Sequence, residues 1–396
     1  MSFKKPNRYV SYGYTQHNKV QLIYGGKQYF DSLKMLIHKA AYTIHVQYYI
    51  YDDDETGMEI ANALIEARKR NVQVFLLVDG YASRNLSRSF IKKLKEAGIH
   101  FRFFEPLFKS KHFYFGRRLH HKLAIIDAKH ALVGGMNISN RYNDMPDEHS
   151  WLDFALQIEG EIAQELCSVC EQFWKKYQKI NTISCKQLVP KNYFKNIGIC
   201  QMRIRRNDWV QRKYQISNSY VEMFRNTSSH ITILSSYFLP GAIFRKKLSQ
   251  AAKRNIKIRV ILAGPSDIML AKHAERYMYN WLLKNNIEIY EYQKTVLHGK
   301  LAVCDSKWIT LGSYNVNNIS AYASIELNLD VQNELFSQQV ERELEEIIYK
   351  DCIRITKDTF YRNTNIFSRL IRWASYEIIR ILLYLFTFYF KQERGR

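Results

Sequence analysis

Along the chain, apolar runs of strand length alternate with stretches whose apolar positions recur at helical spacing. YTIHVQYYIY (42–51) reads as a strand, and GMEIANALIEARKRN (57–71) sets Ile60, Ala63, Leu64 and Ala67 on one helical face. VQVFLLVDG (72–80) is almost wholly apolar, as expected of a buried strand. A helical SRSFIKKLKEAG and a short strand HFRFF follow. The second half repeats the order. HITILSSYFLPG (230–241) reads as a strand, AIFRKKLSQAAKRN (242–255) as a helix and IKIRVILAG (256–264) as a strand. In both halves the helix ends in Arg-Asn and leads straight into its strand. A repeat this long is not a solenoid module. It predicts an α/β fold of two similar lobes, each a mixed, mostly parallel sheet flanked by helices. The expected divisions are an N-terminal extension (1–19), a first lobe (20–190), a second lobe (191–352) and a C-terminal segment (353–396).

One constellation stands in both halves, in LHHKLAIIDAKHALVGGMN (119–137) and LHGKLAVCDSKWITLGSYN (297–315). His120, Lys122, Asp127, Gly134, Gly135 and Asn137 match His298, Lys300, Asp305, Gly312, Ser313 and Asn315. Each copy opens a strand, LAIID or LAVCD. Positions i and i+2 of a strand share a face, so His120 projects with Lys122, and His298 with Lys300. His121 points the other way and reads as structural. The small pair (Gly-Gly or Gly-Ser) ends the next strand, where backbones can approach closely. Asn137, Asn315 and Ser313 are the substrate-binding candidates beside these strand ends. Sites in open α/β sheets gather at strand carboxyl ends. These His-Lys pairs begin their strands, which predicts a departure from that rule.

Two histidines, two lysines and two amides suit a phosphodiester. Lysines neutralise the anion as point charges and amides donate to its oxygens. One neutral imidazole can attack phosphorus while the other, protonated, donates to the leaving oxygen. The pattern needs no metal, and no obvious carboxylate cluster offers to hold one.

The arrangement resembles the phospholipase D superfamily, whose mark is a duplicated H-x-K-x4-D motif, and the resemblance covers roughly residues 20–352. It implies one active site at the interface of two lobes and a phosphohistidine intermediate. Within the superfamily the chain is similar to bacterial cardiolipin synthases of the type without N-terminal membrane helices. The stretches that carry this are LLVDGYASRNLS (76–87), MNIS (136–139), WLDFALQIEG (151–160), SSYFLPG (235–241) and SIELNLDV (324–331). The implied activity is phosphatidyl transfer from one phosphatidylglycerol to another, releasing glycerol, without a cofactor. The alternatives are a hydrolase or nuclease on the same scaffold, and a membrane-binding protein without turnover. The first-motif histidine usually attacks in this family, which makes His120 the nucleophile and His298 the general acid, then base. The near symmetry of the motifs leaves that order open. Family members orient each histidine with a carboxylate downstream of its motif, which pairs Asp153 with His120 and Glu326 with His298. Glu148 is the alternative to Asp153. Asp127 and Asp305 belong to the catalytic motif but read as backbone-bonding residues rather than proton carriers.

Charge then narrows the partner. Lys and Arg number 59 against 37 Asp and Glu, a net charge of +22. That predicts a polyanion, either nucleic acid or an anionic membrane surface. In the tract 106–122, Phe108, Phe113, Tyr114 and Phe115 interleave with Lys109, Lys111, Arg117 and Arg118. Such a loop suits lipid headgroups and single-stranded nucleic acid alike. The C-terminus separates the two. On a helix at about 100° per residue, Arg362, Arg369, Arg372, Glu377, Arg380, Thr387 and Lys391 share one arc. Leu370, Ile371, Ala374, Ile378, Ile381, Leu382, Leu385 and Tyr389 lie opposite. This describes a helix lying in a membrane interface, with a crossing or re-entrant helix and a helix packed on the globular body as the alternatives; a nuclease has no use for such a segment. The expected partners are therefore phosphatidylglycerol and an anionic membrane surface, not nucleic acid, with the oligomeric state left open. The expected location is the cytoplasmic face of a bacterial membrane, held peripherally. The first 20 residues lack the apolar run of a signal peptide. The six cysteines, including Cys167 and Cys170 at C-x-x-C spacing, read as structural thiols in a reducing compartment.

Overall fold

The structure is a computed structural model describing residues 13–106, 117–175, 184–190, 192–317, 320, 324–362 and 365–392. Side chains of the last helix are described through Leu382. The basic aromatic tract at 107–116 lies outside the described residues.

The first lobe is built on β1 (Asn18–Tyr24), β2 (Thr43–Tyr48), β3 (Gln73–Asp79) and β4 (His100–Phe104). After β5 (Arg118–Leu119) come β6 (Lys122–Ile126), β7 (His130–Gly134) and β8 (Phe154–Gly160). Seven of these strands form one sheet in the order β1-β8-β7-β6-β2-β3-β4. Its helices are α1 (Lys27–Lys39), α2 (Glu55–Lys69), α3 (Arg88–Glu96), α4 (Glu161–Lys175) and the short α5 (Cys185–Leu188). The second lobe uses β9 (Gln201–Asp208), β10 (Lys213–Tyr214), β11 (His230–Ser235), β12 (Lys257–Ala263) and β13 (Glu288–Tyr292). It continues with β14 (Lys300–Cys304), β15 (Trp308–Gly312), β16 (Ser324–Gln332) and β17 (Cys352–Ile355). The sheet order is β10-β9-β16-β15-β14-β11-β12-β13-β17, and β5 of the first lobe joins it along β16. Its helices are α6 (Gln215–Asn226), α7 (Ala242–Lys253), α8 (Met269–Lys284), α9 (Glu334–Asp351), α10 (Lys357–Arg362) and α11 (Ile366–Gln392).

Strand alternation sorts the apolar side chains into three cores. Leu123 and Ile125 of β6 share a central core with Leu301 and Val303 of β14, so the two lobes are sealed together by one apolar layer. Ala124 and Ile126 face an outer core under α1, α2 and α3, and Ala302 and Cys304 face its counterpart under α6, α7 and α8. The Arg-Asn ending found twice in the sequence has a physical purpose. Asn71 (φ 66) and Asn255 (φ 63) take the left-handed conformation that stops α2 and α7. The arginine before each binds carbonyls at the end of the preceding helix, Arg70 those of Ile37 and His38, Arg254 those of Phe224 and Thr227.

The two lobes and the mixed α/β architecture match the expectation, but parallel pairing is confined to β2-β3-β4, β11-β12-β13 and the short β5-β16 contact. The motif strands pair antiparallel instead, β2-β6-β7-β8 and β11-β14-β15-β16. For β6-β7 and β14-β15 the reason is the tight turn after each motif, where Asp127 and Ala128, like Asp305 and Ser306, all have positive φ. A turn that short leaves no room for a crossover helix. Asp127 accepts from the backbone N–H groups of Ala41, Tyr42 and Thr43, each at 2.8 Å. Asp305 does the same for Ser228, Ser229 and His230 at 2.9–3.1 Å.

One cysteine expectation is corrected. Cys167 is not a free thiol but is bonded to Cys185, because α5 folds back onto α4. Cys170 remains a buried thiol.

Replacing Asp127 with alanine leaves three N–H groups without an acceptor. Equilibrium denaturation should register a loss of about 2–3 kcal/mol. The loss at Asp305→Ala should be smaller, since water can reach that turn. Loss of turnover in a variant that is fully folded would refute this structural role.

Candidate active site

The start of β6 lies beside the end of β2, with Lys122 paired to Tyr48, and the start of β14 lies beside the end of β11, with Lys300 paired to Ser235. Because the motif strands run antiparallel to β2 and β11, their first residues stand at the carboxyl edge of the parallel strands. The expected departure from the carboxyl-end rule therefore does not occur.

His120 and His298 line one cleft of about 490 Å³ together with Asn137, Asn315 and Glu326. The orienting carboxylates are exchanged between lobes relative to expectation. Nδ1 of His120 meets Glu326 at 2.8 Å, and Nδ1 of His298 meets Asp153 at 2.6 Å. The backbone explains the exchange. The N–H of His120 donates to the carbonyl of Ile325 at 2.9 Å, one residue before Glu326. The N–H of His298 donates to the carbonyl of Leu152 at 2.8 Å, one residue before Asp153. Each histidine is thus pinned to the segment that carries the other lobe's carboxylate, β16 for His120 and the residues just before β8 for His298. Glu148 is exposed and takes no part.

With Nδ1–H donating to a carboxylate, each ring turns its Nε2 lone pair away from that partner. Burial pushes His298 down to about 4, and Lys300 adds to the effect against the pull of Asp153. His120 is also lowered, by burial first, with Lys122 and Lys300 adding to it against Glu326. Burial alone would raise both carboxylates. For Asp153, Lys300 and His298 outweigh it; for Glu326, His120 and Lys122 do. The lysines are buried and near each other. Lys300 is pushed down to about 8 by burial, and Lys122 lies well below the usual ammonium range. Lys122 Nζ donates to the carbonyl of His120 at 2.9 Å, and Lys300 Nζ to that of His298. An anion between the lysines would oppose every one of these depressions.

The asparagines stand in the cleft wall. Asn137 donates to Tyr142 Oη at 2.8 Å and accepts from Ile50 N–H at 3.1 Å, while Asn315 accepts from Ser236 Oγ at 2.7 Å. Ser313 is not a cleft residue. Its hydroxyl binds Glu326, which also accepts from Ser324 at 2.6 Å. At the matching place in the first lobe, a Cβ on Gly135 would come within 2.3 Å of an Asp153 oxygen. The longer glutamate is steadied by a serine, whereas the shorter aspartate needs the space a glycine leaves. Asp127 and Asp305 lie at the far ends of their strands, bonding backbone. His121 faces the central core, bonded to Gln47 at 3.0 Å and edge-on to Phe173.

Sequence reasoning overlooked the aromatic frame. Tyr49 packs edge-on to His120 (4.7 Å), and Tyr142 and Trp151 flank His298 (5.1 and 6.0 Å). Tyr237 donates to Asp267 at 2.5 Å across the cleft rim. Trp151 and Tyr237 stand inside the stretches WLDFAL and SSYFLPG, which was the available signal. Leu239, Leu270 and Ile379 make part of the cleft wall apolar. Among the described residues, His45, Cys167 and Cys185 are close enough together to share a metal, but two of the three are joined in the disulfide.

A family model described as "Cardiolipin synthase, PLD-like domain" matches residues 33–174 and 220–348. Cardiolipin synthase B of Shigella flexneri is 29% identical over 360 residues, covering 88% of this chain and 84% of that protein. Cardiolipin synthase 1 of Bacillus cereus is 29% identical over 355 residues, covering 87% and 69%. Among solved structures, phosphatidylserine synthase of Haemophilus influenzae superposes with a TM-score of 0.73 at 12% identity, covering 96% of this chain and 97% of that one. That last likeness is one of fold.

Glu326→Gln should lower the pKa of His120 further and leave His298 nearly unmoved, because the lost carboxylate charge favoured the imidazolium of its own partner. Asp153→Asn should do the reverse. Histidine ring shifts followed by NMR across pH would read this directly, and the opposite pairing of effects would contradict the crossed arrangement.

Proposed function

The chain belongs to the phospholipase D-like family of cardiolipin synthases and is a phosphatidyltransferase; from that premise we propose that it moves the phosphatidyl group of one phosphatidylglycerol onto a hydroxyl of a second, releasing glycerol. The observation that carries the reading is the pair of carboxylate-held histidines beside two buried lysines in a partly apolar cleft. The phosphodiester sits between Lys122 and Lys300, and its charge offsets the two ammonium groups that depress the imidazoles. His298 takes up a proton as substrate binds. Nε2 of neutral His120 attacks phosphorus, and Glu326 stabilises the imidazolium that forms. The bond from phosphorus to the glycerol oxygen breaks, and His298 gives that oxygen its proton. His298 then takes the proton of the second lipid's hydroxyl. The resulting oxygen attacks phosphorus, the P–N bond breaks, and His120 returns to its starting form. Asn137 and Asn315 donate to the phosphoryl oxygens. Asp153 holds His298 in the right tautomer. No step draws on a metal or an added cofactor.

Transfer prevails over hydrolysis when the lipid hydroxyl is held in line and water is kept away. Leu239, Leu270 and Ile379 supply the apolar wall that favours it. The enzyme works at a membrane surface, on the cytoplasmic face, and holds on peripherally. In support, no described helix is long and apolar enough to cross a membrane.

Purified protein given phosphatidylglycerol in mixed micelles should release glycerol and form cardiolipin, followed by lipid chromatography. Phosphatidic acid without cardiolipin would replace transfer by hydrolysis. His120→Ala and His298→Ala should each cost roughly 10³-fold or more in turnover. A phosphorus label carried on the protein should survive in His298→Ala and vanish in His120→Ala; the reverse would exchange their roles.

The pH profile should follow two groups. Activity should fall at low pH as His120 is protonated. In the free enzyme Lys300 loses its charge as pH rises through about 8, so kcat/KM should decline above that point. Lys300→Arg keeps the charge at any working pH and should remove the alkaline decline from whatever activity remains.

A further inference from the structure

Outside the candidate cleft, α7, α8, α10 and the first turns of α11 line an open cavity of about 540 Å³. Arg245, Arg276, Lys284, Arg369 and Arg372 stand in its wall. Glu291 answers part of this charge, gripping Arg276 through two contacts at 3.1 and 2.9 Å, but it also serves Lys272 and Tyr279. Arg372 lies over the ring of Phe360 at 5.2 Å, and burial, then Arg276, push its pKa down, with Arg369 adding to the effect against the pull of Tyr279 and Glu291. The fold therefore holds like charges together in a half-buried place, an arrangement that a phosphate would relieve.

The surroundings say which phosphate. α11 docks on α8 with Ser375 buried and the ring of Tyr376 tilted against that of Tyr277 at 4.8 Å. The opposite side of α11 leaves Phe367, Leu370, Ile371, Ile378 and Ile381 exposed. Trp373, a cavity residue, is itself 48% exposed at the edge of that apolar face. A soluble phosphate would satisfy the cations and leave the apolar face in water. A phospholipid satisfies both, with its phosphate among the guanidinium groups, rings at the headgroup level and acyl chains along α11.

We infer that this cavity is a second lipid site, which takes the phosphate of an anionic phospholipid from the bilayer and so seats α11 flat on the membrane. The inference rests on the membrane-surface reading above and deepens it. Arg372 and Ile379 lie two turns apart on the same side of α11, and Ile379 lines the catalytic cleft. A lipid held at the cavity would thereby fix one wall of the cleft, tying the shape of the site to contact with the membrane.

The test is co-sedimentation of the full chain with phosphatidylcholine vesicles, with and without phosphatidylglycerol. Lys284→Glu/Arg369→Glu should bind phosphatidylglycerol vesicles at least about tenfold more weakly. The same charge change on α3, Lys92→Glu/Lys95→Glu, should have little effect. Equal losses in the two variants would reduce the site to diffuse surface charge and overturn it, as would undiminished binding in the first. Turnover on short-chain phosphatidylglycerol dissolved as monomers should persist in Lys284→Glu/Arg369→Glu, excluding misfolding as the cause. Independently of any charge change, lipids brominated along the chains should quench fluorescence that Trp373→Phe removes; no such component would count against seating of α11. Release of the wild type from vesicles by inorganic phosphate at unchanged ionic strength would assign the cavity to a free anion instead. Vesicle binding is read without turnover, so binding without cardiolipin formation would sink the proposed reaction and leave this site standing.

Discussion

Two hydrogen bonds across the lobe interface, His120 to Glu326 and His298 to Asp153, order the rest of the site. Neither lobe alone holds a complete histidine–carboxylate pair. The backbone bonds from His120 to Ile325 and from His298 to Leu152 place each ring on its partner before any side chain is chosen. The shared apolar core of β6, β8, β14 and β16 holds the two halves in that register. Docking of the lobes and orientation of the imidazoles are thus one event, and a shift of the interface would release both rings together.

The same interface sets the electrostatics. Burying two lysines near each other would be unfavourable were Asp153 and Glu326 not brought in with them. The result is a nearly balanced cluster in which the imidazoles are held neutral and the ammonium groups are weakened. In the proposed reaction, a phosphodiester arriving in such a cluster would restore the charges the free site suppresses. The lobes solve the carboxylate problem differently: glutamate braced by Ser313 and Ser324 in one, and aspartate against the bare backbone of Gly135 in the other. The duplication therefore yields two halves that are similar but not interchangeable.

Away from the cleft, the excess positive charge has a pattern. Part is neutralised internally, as with Arg203 and Arg205 on Asp330. Another part gathers where α11 meets α8, next to the apolar face that α11 turns outward. Charge and exposed apolar surface thus share one side of the molecule, and Ile379 connects the same helix to the cleft.

Much of this was legible in the residues. The duplicated motif gave the lobes, the paired projection of His and Lys, and the backbone role of Asp127 and Asp305, because strand periodicity and short turns are local properties. The alternation of α11 into basic and apolar arcs from Arg369 to Leu382 was visible for the same reason, although Arg362 ends α10 rather than joining that helix, and Leu385, Thr387, Tyr389 and Lys391 lie beyond its described side chains. What the chain order could not reveal was the exchange of Asp153 and Glu326 between histidines. Proximity in sequence suggested a partner within each lobe, and only the packing of one sheet on the other decides which carboxylate a ring meets. The demotion of Ser313 from cleft to support and the Cys167–Cys185 bond were likewise decided by tertiary structure. Each depends on a distance between segments far apart in the chain. Local pattern determined which groups this protein has to work with. The burial of one lobe against the other determined which of them touch, and so how each is charged.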